Sequence, residues 1–93
     1  MPNHASAKKR VRQTEKRTLR NKHVRSTCRT YMKRVRKAVA EGDVQSARKW
    51  LALAERHVAR AVKKGVFHWK TGARYVSRLA AQVHRLEQSG EAA

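Results

Sequence analysis

The chain has 93 residues and a single cysteine, and its 24 Lys and Arg outnumber its 6 Asp and Glu to give a formal net charge of +18. One cysteine excludes an intramolecular disulfide scaffold, and no apolar run approaches the roughly 18 residues that span a bilayer. The pI near 11.6 lies well above the value of about 9 that is typical of nucleic-acid-binding domains. These totals predict one small cytoplasmic domain that binds RNA or DNA, with an anionic membrane surface as a weaker alternative.

Two glycines divide the chain into three helical segments. Gly42 and Gly65 fall where the helical periodicity stops, and glycine is the residue type that most often follows the end of a helix. The predicted helices cover about residues 6–41, 43–64 and 68–88, and a flexible tail follows at residues 89–93. No β-strand alternation occurs, so the predicted fold class is all-α.

The first predicted helix has two unlike halves. Its C-terminal half carries an apolar stripe at steps of three or four residues, formed by Val24, Cys28, Met32, Val35 and Val39. Cys28 is therefore expected to be a small core residue. The N-terminal half, which Ser6 is placed to cap, has only Val11 and Leu19 as large apolar side chains.

The other two predicted helices each carry one continuous apolar stripe. Asp43 is placed to cap the second helix. The two stripes are formed by Val44, Ala47, Leu51, Ala54, Val58 and Ala61, and by Val76, Leu79, Val83 and Leu86. Short connections make successive helices antiparallel neighbours, so the sequence predicts a three-helix antiparallel bundle with a long, protruding N-terminal helix. At about 1.5 Å per residue, about 15–20 Å of the first helix should protrude.

Most of the excess charge lies in the first helix. Residues 1–40 contain 14 basic residues and 1 acid, whereas residues 41–93 contain 10 basic and 5 acidic residues. The candidate phosphate ligands in the first helix are Lys8, Lys9, Arg10, Arg12, Lys16, Arg17, Arg20, Arg25 and Arg29. Because basic residues are expected all around this helix, it suits a crevice between RNA helices better than a single DNA groove.

A second basic cluster surrounds the turn between the second and third helices. Its members are Lys63, Lys64, His68, Lys70, Arg74 and Arg78. Lys70, Arg74 and Arg78 share one helical face at i,i+4 spacing. The cluster is either a second RNA-contact site or a solvated face. Up-down-up helix order places the turn near the start of the bundled part of the first helix, so the two basic surfaces can converge.

Three further residues have alternative interpretations. Trp50 is expected to pack between helices rather than to stack on a base, whereas packing and RNA contact are equally expected for Trp69. Gly72 inside a helix costs about 1 kcal/mol relative to alanine. It serves either close helix packing or the close approach of a phosphate.

The sequence offers no catalytic or metal-binding constellation. Its 5 histidines show no pair at metal-ligand spacing, one cysteine cannot build a structural zinc site, and no nucleophile–base–acid set is visible. We therefore expect a non-enzymatic protein without cofactors, metal, small-molecule substrate or homo-oligomer. Two other functions stay open. One is histone-like, non-specific DNA binding; the other is action on membranes, for which the first helix lacks a wide apolar face in its N-terminal half.

Two stretches of the chain resemble the bacterial small-subunit ribosomal protein S-twenty family. The first is Ser6-Ala-Lys-Lys-Arg10, followed by Gln13, Glu15-Lys-Arg17 and Arg20-Asn21. The second is Lys64-Gly65, followed by His68, Thr71, Ala73-Arg74 and Ser77-Arg78-Leu79. Gly42-Asp43 also matches the family's break between its first two helices, and the similarity covers about residues 3–87.

The resemblance implies a three-helix bundle that binds 16S ribosomal RNA directly during small-subunit assembly, with its first helix among RNA helices. At the matching positions it implies RNA contacts by Ser6, Lys8, Lys9, Arg10, Lys16, Arg17, Arg20, Asn21, Lys64, His68, Arg74 and Arg78. The chain departs from the family pattern at Trp69, Lys70, Gly72, Tyr75 and Val76, where Lys, Asn, Ala and two basic residues are common. These departures reduce the charge of the third helix.

The charges of the first helix predict that its folding is coupled to binding. Lys8, Lys9 and Arg10 lie at the positive end of the helix dipole, at a cost of about 0.3–1 kcal/mol each, and like-charge pairs at i,i+4 add a few tenths. We expect residues 6 to about 22 to be largely unfolded in the free protein and helical on RNA. Far-UV circular dichroism should gain helical signal during a titration with ribosomal RNA, and an unchanged signal would contradict the prediction.

Overall fold

The computed structural model describes residues 4–92, with side chains described for residues 4–89. Three helices make up the fold: α1 spans His4–Ala40, α2 spans Val44–Lys63 and α3 spans Trp69–Ala92. They pack in up-down-up order, and the part of the chain that is described contains no strand. The predicted all-α bundle with a long first helix is confirmed.

Each connection between helices has a glycine in the left-handed conformation as its second residue. Gly42 has a φ of +73° and Gly65 a φ of +77°. After α1, the N–H groups of Gly42 and Asp43 donate to the carbonyls of Val39 and Ala38 at 3.1 and 3.0 Å. This pair of bonds satisfies carbonyls that a helix end leaves without a partner. The same pattern follows α2 around Gly65, so both predicted breaks have one physical cause.

Asp43 caps α2 as predicted. One of its carboxylate oxygens accepts the backbone N–H of Ser46 at 3.1 Å, and the other accepts the Ser46 hydroxyl at 2.6 Å. These bonds lower the pKa of Asp43. The cap therefore stabilises the fold above the ordinary pKa of an aspartate and is lost as pH falls through the lowered value. The expected capping role of Ser6 is wrong, because α1 begins at His4 and Ser6 lies inside its first turn.

The predicted stripes form the core. Its buried members are Cys28, Met32, Val35 and Ala38 from α1, Ala47, Ala54, Val58 and Ala61 from α2, and Leu79 and Val83 from α3. Of the remaining stripe residues, all except Val44 pack at its edge. Burial raises the pKa of the Cys28 thiol. Three of the α2 core residues are alanines seven positions apart, which lets the neighbouring helices approach closely.

Gly72 lies where α3 packs closely against α2. A Cβ atom added there would stand 2.6 Å from Cγ2 of Val62 and 3.2 Å from Cγ1 of Val58. Gly72 is itself buried. Close helix packing, rather than the approach of a phosphate, therefore accounts for glycine at this position.

The C-terminal end of α3 differs from the sequence prediction. Residues 89–92, predicted as a flexible tail, continue the helix to Ala92. No proline interrupts the backbone hydrogen-bond ladder in this stretch. Ala93 lies outside the described residues.

The N-terminal part of α1 extends away from the bundle as an overhang, defined as residues 4–20. All of its side chains are exposed. α1 has 37 residues and α2 has 20, and at about 1.5 Å per residue the difference is about 25 Å rather than the predicted 15–20 Å. The molecule accordingly measures 72 × 21 × 14 Å. Its radius of gyration of 18.4 Å exceeds the about 12 Å of a compact domain of this length.

The overhang is helical in the structure, where the sequence predicts an unfolded segment in the absence of RNA. Within it, the hydroxyls of Thr14 and Thr18 each donate to the carbonyl four residues earlier at 2.9 Å, an arrangement that does not stabilise a helix. No burial of these side chains offsets the repulsion among their charges. The coupling of this helix to RNA binding therefore stays a prediction.

Replacing Gly72 by alanine tests the close contact between α2 and α3. The added methyl group overpacks the contact, which costs about 1–3 kcal/mol, whereas the higher helix propensity of alanine stabilises the helix by about 1 kcal/mol. Gly72→Ala should therefore lower the free energy of unfolding by about 1 kcal/mol. In a chain that also carries Val62→Ala, the nearest methyl is absent and the same change should stabilise. Urea unfolding of the four chains measures both effects, and a gain of stability in the otherwise unmodified chain would contradict the prediction.

Candidate nucleic-acid interface

The basic side chains of the overhang cover about half of its circumference. A helix turns about 100° per residue, so residues separated by 7, 11 or 18 positions share a face. The side of α1 on which Thr27 lies therefore continues along the overhang. It carries Lys9, Lys16 and Arg20, which lie 18, 11 and 7 positions before Thr27. Lys8 and Arg12 border this face on one side, and Arg10 and Arg17 border it on the other.

The same face continues onto α2. Thr27 and His23 of α1 line a groove with His57 and Arg60 of α2 and with Lys64, which directly follows α2. Lysines and arginines of both helices thus form one surface, which we call the inner basic face: Lys9, Lys16, Arg20, Arg60 and Lys64. The expected convergence of the two basic surfaces is therefore observed at Lys64.

His57 contributes a packed aromatic ring to the wall of this groove rather than a positive charge. Its ring stacks on that of Tyr31, with centroids 4.3 Å apart and planes inclined by 15°. Burial, together with the positive charges of Arg60 and Arg56, lowers the pKa of His57. The imidazole is therefore neutral near pH 7, and the positive charge of the groove comes from Arg60 and Lys64.

A second basic surface lies on nearly the opposite side of α1. Its first residue, Lys22, lies where the bundle begins, and successive basic residues along it are 3, 4, 4 and 3 positions apart. Its members are all exposed, and we call them the outer basic face: Lys22, Arg25, Arg29, Lys33 and Arg36. The predicted ligands Arg25 and Arg29 belong here, away from the inner basic face. Lys22, Lys33 and Arg36 were not among the predicted ligands, although their spacing places them on this surface.

The two faces correct one expectation about the overhang. Charge does not surround it, because Ala7, Val11, Thr14 and Thr18 follow one another at steps of 4, 3 and 4 and form a neutral stripe. Helical geometry places this stripe directly in line with the outer basic face. Basic residues therefore surround α1 only when its whole length is considered.

Two other predicted ligands lie at the borders of the overhang. Ser6 is exposed near its start, and Asn21 is half-buried where the bundle begins. The carboxamide oxygen of Asn21 accepts hydrogen bonds from the Arg20 guanidinium at 3.2 and 3.4 Å. Asn21 thus holds the Arg20 side chain in place at the inner basic face.

The start of α3 carries the rest of the predicted site. Lys63, His68, Lys70, Arg74 and Arg78 are all exposed, and the last three share one face of α3. The backbone N–H of Lys70 donates to Nδ1 of His68 at 3.2 Å, which fixes the His68 ring at the helix N-terminus. No acidic residue occurs between Glu55 and Glu87, so this end of the bundle is uniformly basic or neutral.

The aromatic residues divide into packed and exposed ones. Trp50 is half-buried as predicted, with its ring 6.0 Å from that of Tyr31 and 4.8 Å from the Arg34 guanidinium. Tyr75 meets Phe67 edge to face at 5.6 Å and, like Val76, packs against the core. Trp69, in contrast, is 63% exposed.

Within the described residues, no helix has an apolar stretch long enough to cross a bilayer. The same part of the chain brings no three His, Cys, Asp or Glu side chains together in a way that could hold a metal ion.

Comparison with known proteins agrees with the basic, elongated bundle. The sequence matches the ribosomal protein S20 family over residues 2–84. The chain belongs to this family. The small ribosomal subunit protein bS20 of Geotalea daltonii is 54% identical over 86 residues, which cover 92% of this chain and 99% of that protein. The proteins of the same name from Geotalea uraniireducens and Methylocella silvestris are 51% and 49% identical over 86 residues, with 92% of this chain and 99% and 98% of those proteins covered.

Membership in the family confirms the resemblance found in the sequence. It makes the chain a structural ribosomal protein of the small subunit and not an enzyme. The departures from the family pattern now have structural explanations at three positions. Gly72 permits the close α2–α3 contact, and Tyr75 and Val76 pack on the core.

Single-charge variants at opposite ends of the molecule test the inner basic face. Lys16→Gln should reduce the slope of log K against log salt for RNA binding by about 0.7–0.9, because one phosphate contact is lost. Arg48→Gln removes the same charge at the other end of the bundle, where Arg48 pairs with Glu87 at 2.7 Å. This control should leave the slope unchanged. Equal slopes for the two variants in filter-binding titrations would show that net charge, rather than position, determines binding.

Proposed function

We propose that this protein binds 16S ribosomal RNA directly and stabilises its fold during assembly of the small ribosomal subunit in the cytoplasm. One observation carries the proposal: α1 presents two basic faces that point in nearly opposite directions. A helix with this arrangement can contact one RNA segment on each side. Its relatives are named as proteins of the small ribosomal subunit, which makes 16S ribosomal RNA the expected ligand.

Electrostatics gives such a helix a structural role in RNA folding. Two RNA helices repel each other through their phosphates, and a cationic helix between them replaces condensed counterions and removes much of that repulsion. A bare α-helix is about 10–12 Å across with its side chains, so the overhang is narrow enough to lie between duplexes. The 72 Å length of the molecule lets it bridge segments that are distant in the RNA sequence.

The bundle and the overhang have different tasks in this proposal. The bundle supplies a folded anchor whose basic end, around Lys64 and His68, binds without rearrangement. The overhang carries 7 of the 24 basic residues on an exposed helix and is expected to become fully ordered on the RNA. Shape and phosphate positions would decide where the protein binds, as is usual for proteins that recognise A-form helices.

The alternative, histone-like DNA binding, fits the two faces less well. Helices that read DNA present one face to one major groove, often as dimers with a fixed spacing. The outer basic face and the α1 residues of the inner basic face lie instead on nearly opposite sides of α1. Filter binding at moderate salt should therefore give higher affinity for 16S ribosomal RNA than for random duplex DNA, and equal affinities would contradict the proposal.

Removing each basic face separately tests whether both contact RNA. One variant carries Lys9→Gln, Lys16→Gln and Arg20→Gln, and the other carries Arg25→Gln, Arg29→Gln and Lys33→Gln. Both lose three charges, so each should reduce the salt slope for 16S ribosomal RNA by about 2–3. Sedimentation with small subunits through a sucrose gradient should weaken for both. Normal binding by the second variant would mean that only one side of α1 meets RNA.

A further inference from the structure

Trp69 is the one tryptophan whose ring does not pack into the bundle. It is the first residue of α3 and is 63% exposed. The neighbouring apolar residues Val66, Phe67, Tyr75 and Val76 all pack against the core. Burial of an aromatic ring is among the largest contributions to the stability of a small domain. Because Trp69 does not make this contribution, its ring is available for a binding role.

The surroundings of Trp69 favour an anionic, aromatic ligand. The His68 ring stacks beside it, with centroids 5.7 Å apart and planes inclined by 29°. The Lys70 ammonium lies 5.6 Å from the centroid of the indole ring. The connection that begins at Lys64 leads directly into Trp69. A flat aromatic surface is thus surrounded by cationic and hydrogen-bonding groups.

We propose that Trp69 is a stacking site for one unpaired base of the bound RNA, while Lys64 and Lys70 contact the phosphates on either side of that nucleotide. The inference rests on the proposed function, because it takes RNA as the partner. Aromatic side chains with adjacent cations are the chemistry that holds unpaired nucleotides. In a continuous duplex the faces of the bases are covered by their neighbours, so this site recognises a bulge or loop.

The position of Trp69 relates the site to the inner basic face. Lys64 lines the groove that continues this face, and Trp69 follows five residues later at the end of the same connection. A duplex that lies along the overhang would meet the bundle at this end. The unpaired nucleotide is therefore expected where that duplex is interrupted or ends.

An exposed tryptophan can also anchor a protein interface. Uniformly basic surroundings favour nucleic acid here, since no acidic residue occurs between Glu55 and Glu87. A protein partner would leave Trp69 unaffected by RNA, which the experiment below would show.

Fluorescence of Trp69 itself reports on stacking. The substitution Trp50→Phe keeps an aromatic ring in the packed position and leaves Trp69 as the only tryptophan. The probes are two RNA hairpins with the same number of phosphates, one fully paired in its stem and one with a single unpaired adenosine there. Binding of the bulged hairpin should quench Trp69 strongly, and binding of the paired hairpin should quench it weakly. Equal quenching, or none, would overturn the proposal.

Affinity measurements separate stacking from charge. Trp69→Ala should weaken binding to 16S ribosomal RNA about 5- to 150-fold without changing the salt slope, because no charge is removed. Trp69→Phe should retain much of the affinity. Lys70→Gln should instead reduce the slope by about 0.7–0.9. The thermal unfolding midpoint of Trp69→Ala should match that of the unmodified protein, since an exposed ring contributes little to packing.

The outcomes distinguish this inference from the proposed function. If the unmodified protein does not bind 16S ribosomal RNA, the proposed function fails. If it binds and Trp69→Ala binds equally well, the function stands and the stacking site is wrong. Loss of affinity in Trp69→Ala with a reduced salt slope would also count against stacking, because it would indicate displaced phosphate contacts.

Discussion

Repulsion among positive charges limits where this chain can build a core. With 24 basic residues in 93 positions, few surfaces remain free for helix packing, and the core is confined to one end of α1 and its two partner helices. Small residues compensate for the narrow stripes. Alanines at seven-residue intervals along α2, together with Gly72 on α3, let the helices approach closely, so that few large side chains suffice to exclude water.

The same repulsion explains the shape of the molecule. Charges that the bundle cannot accommodate lie on an overhang about 25 Å long, where no other helix brings further cations close. That segment has little to stabilise it within the protein. An RNA surface supplies the missing counter-charge, so the residues that neutralise phosphate are also those whose order depends on it. The inner and outer basic faces lie at different positions along α1, so each can contact a separate RNA segment.

Local chemistry determined much of the fold from sequence alone. The apolar stripes follow helical periodicity, and the left-handed turns at Gly42 and Gly65 and the cap at Asp43 each depend on neighbouring residues only. Such features need no knowledge of what lies across the bundle. The prediction was less accurate at the two ends of the chain. There helices extend beyond their expected limits, because α1 begins before Ser6 and α3 continues past Gly90.

The candidate site was predictable in composition but not in arrangement. The sequence identified the basic residues, since charge needs no fold to be counted. Tertiary structure alone decided that Lys64 lines the same groove as Thr27, that Trp69 is exposed, and that Gly72 lies close to Val62. Each of these depends on the axial register and rotation of one helix against another. Those are set by the summed packing of all three stripes, so no single stretch of sequence contains them.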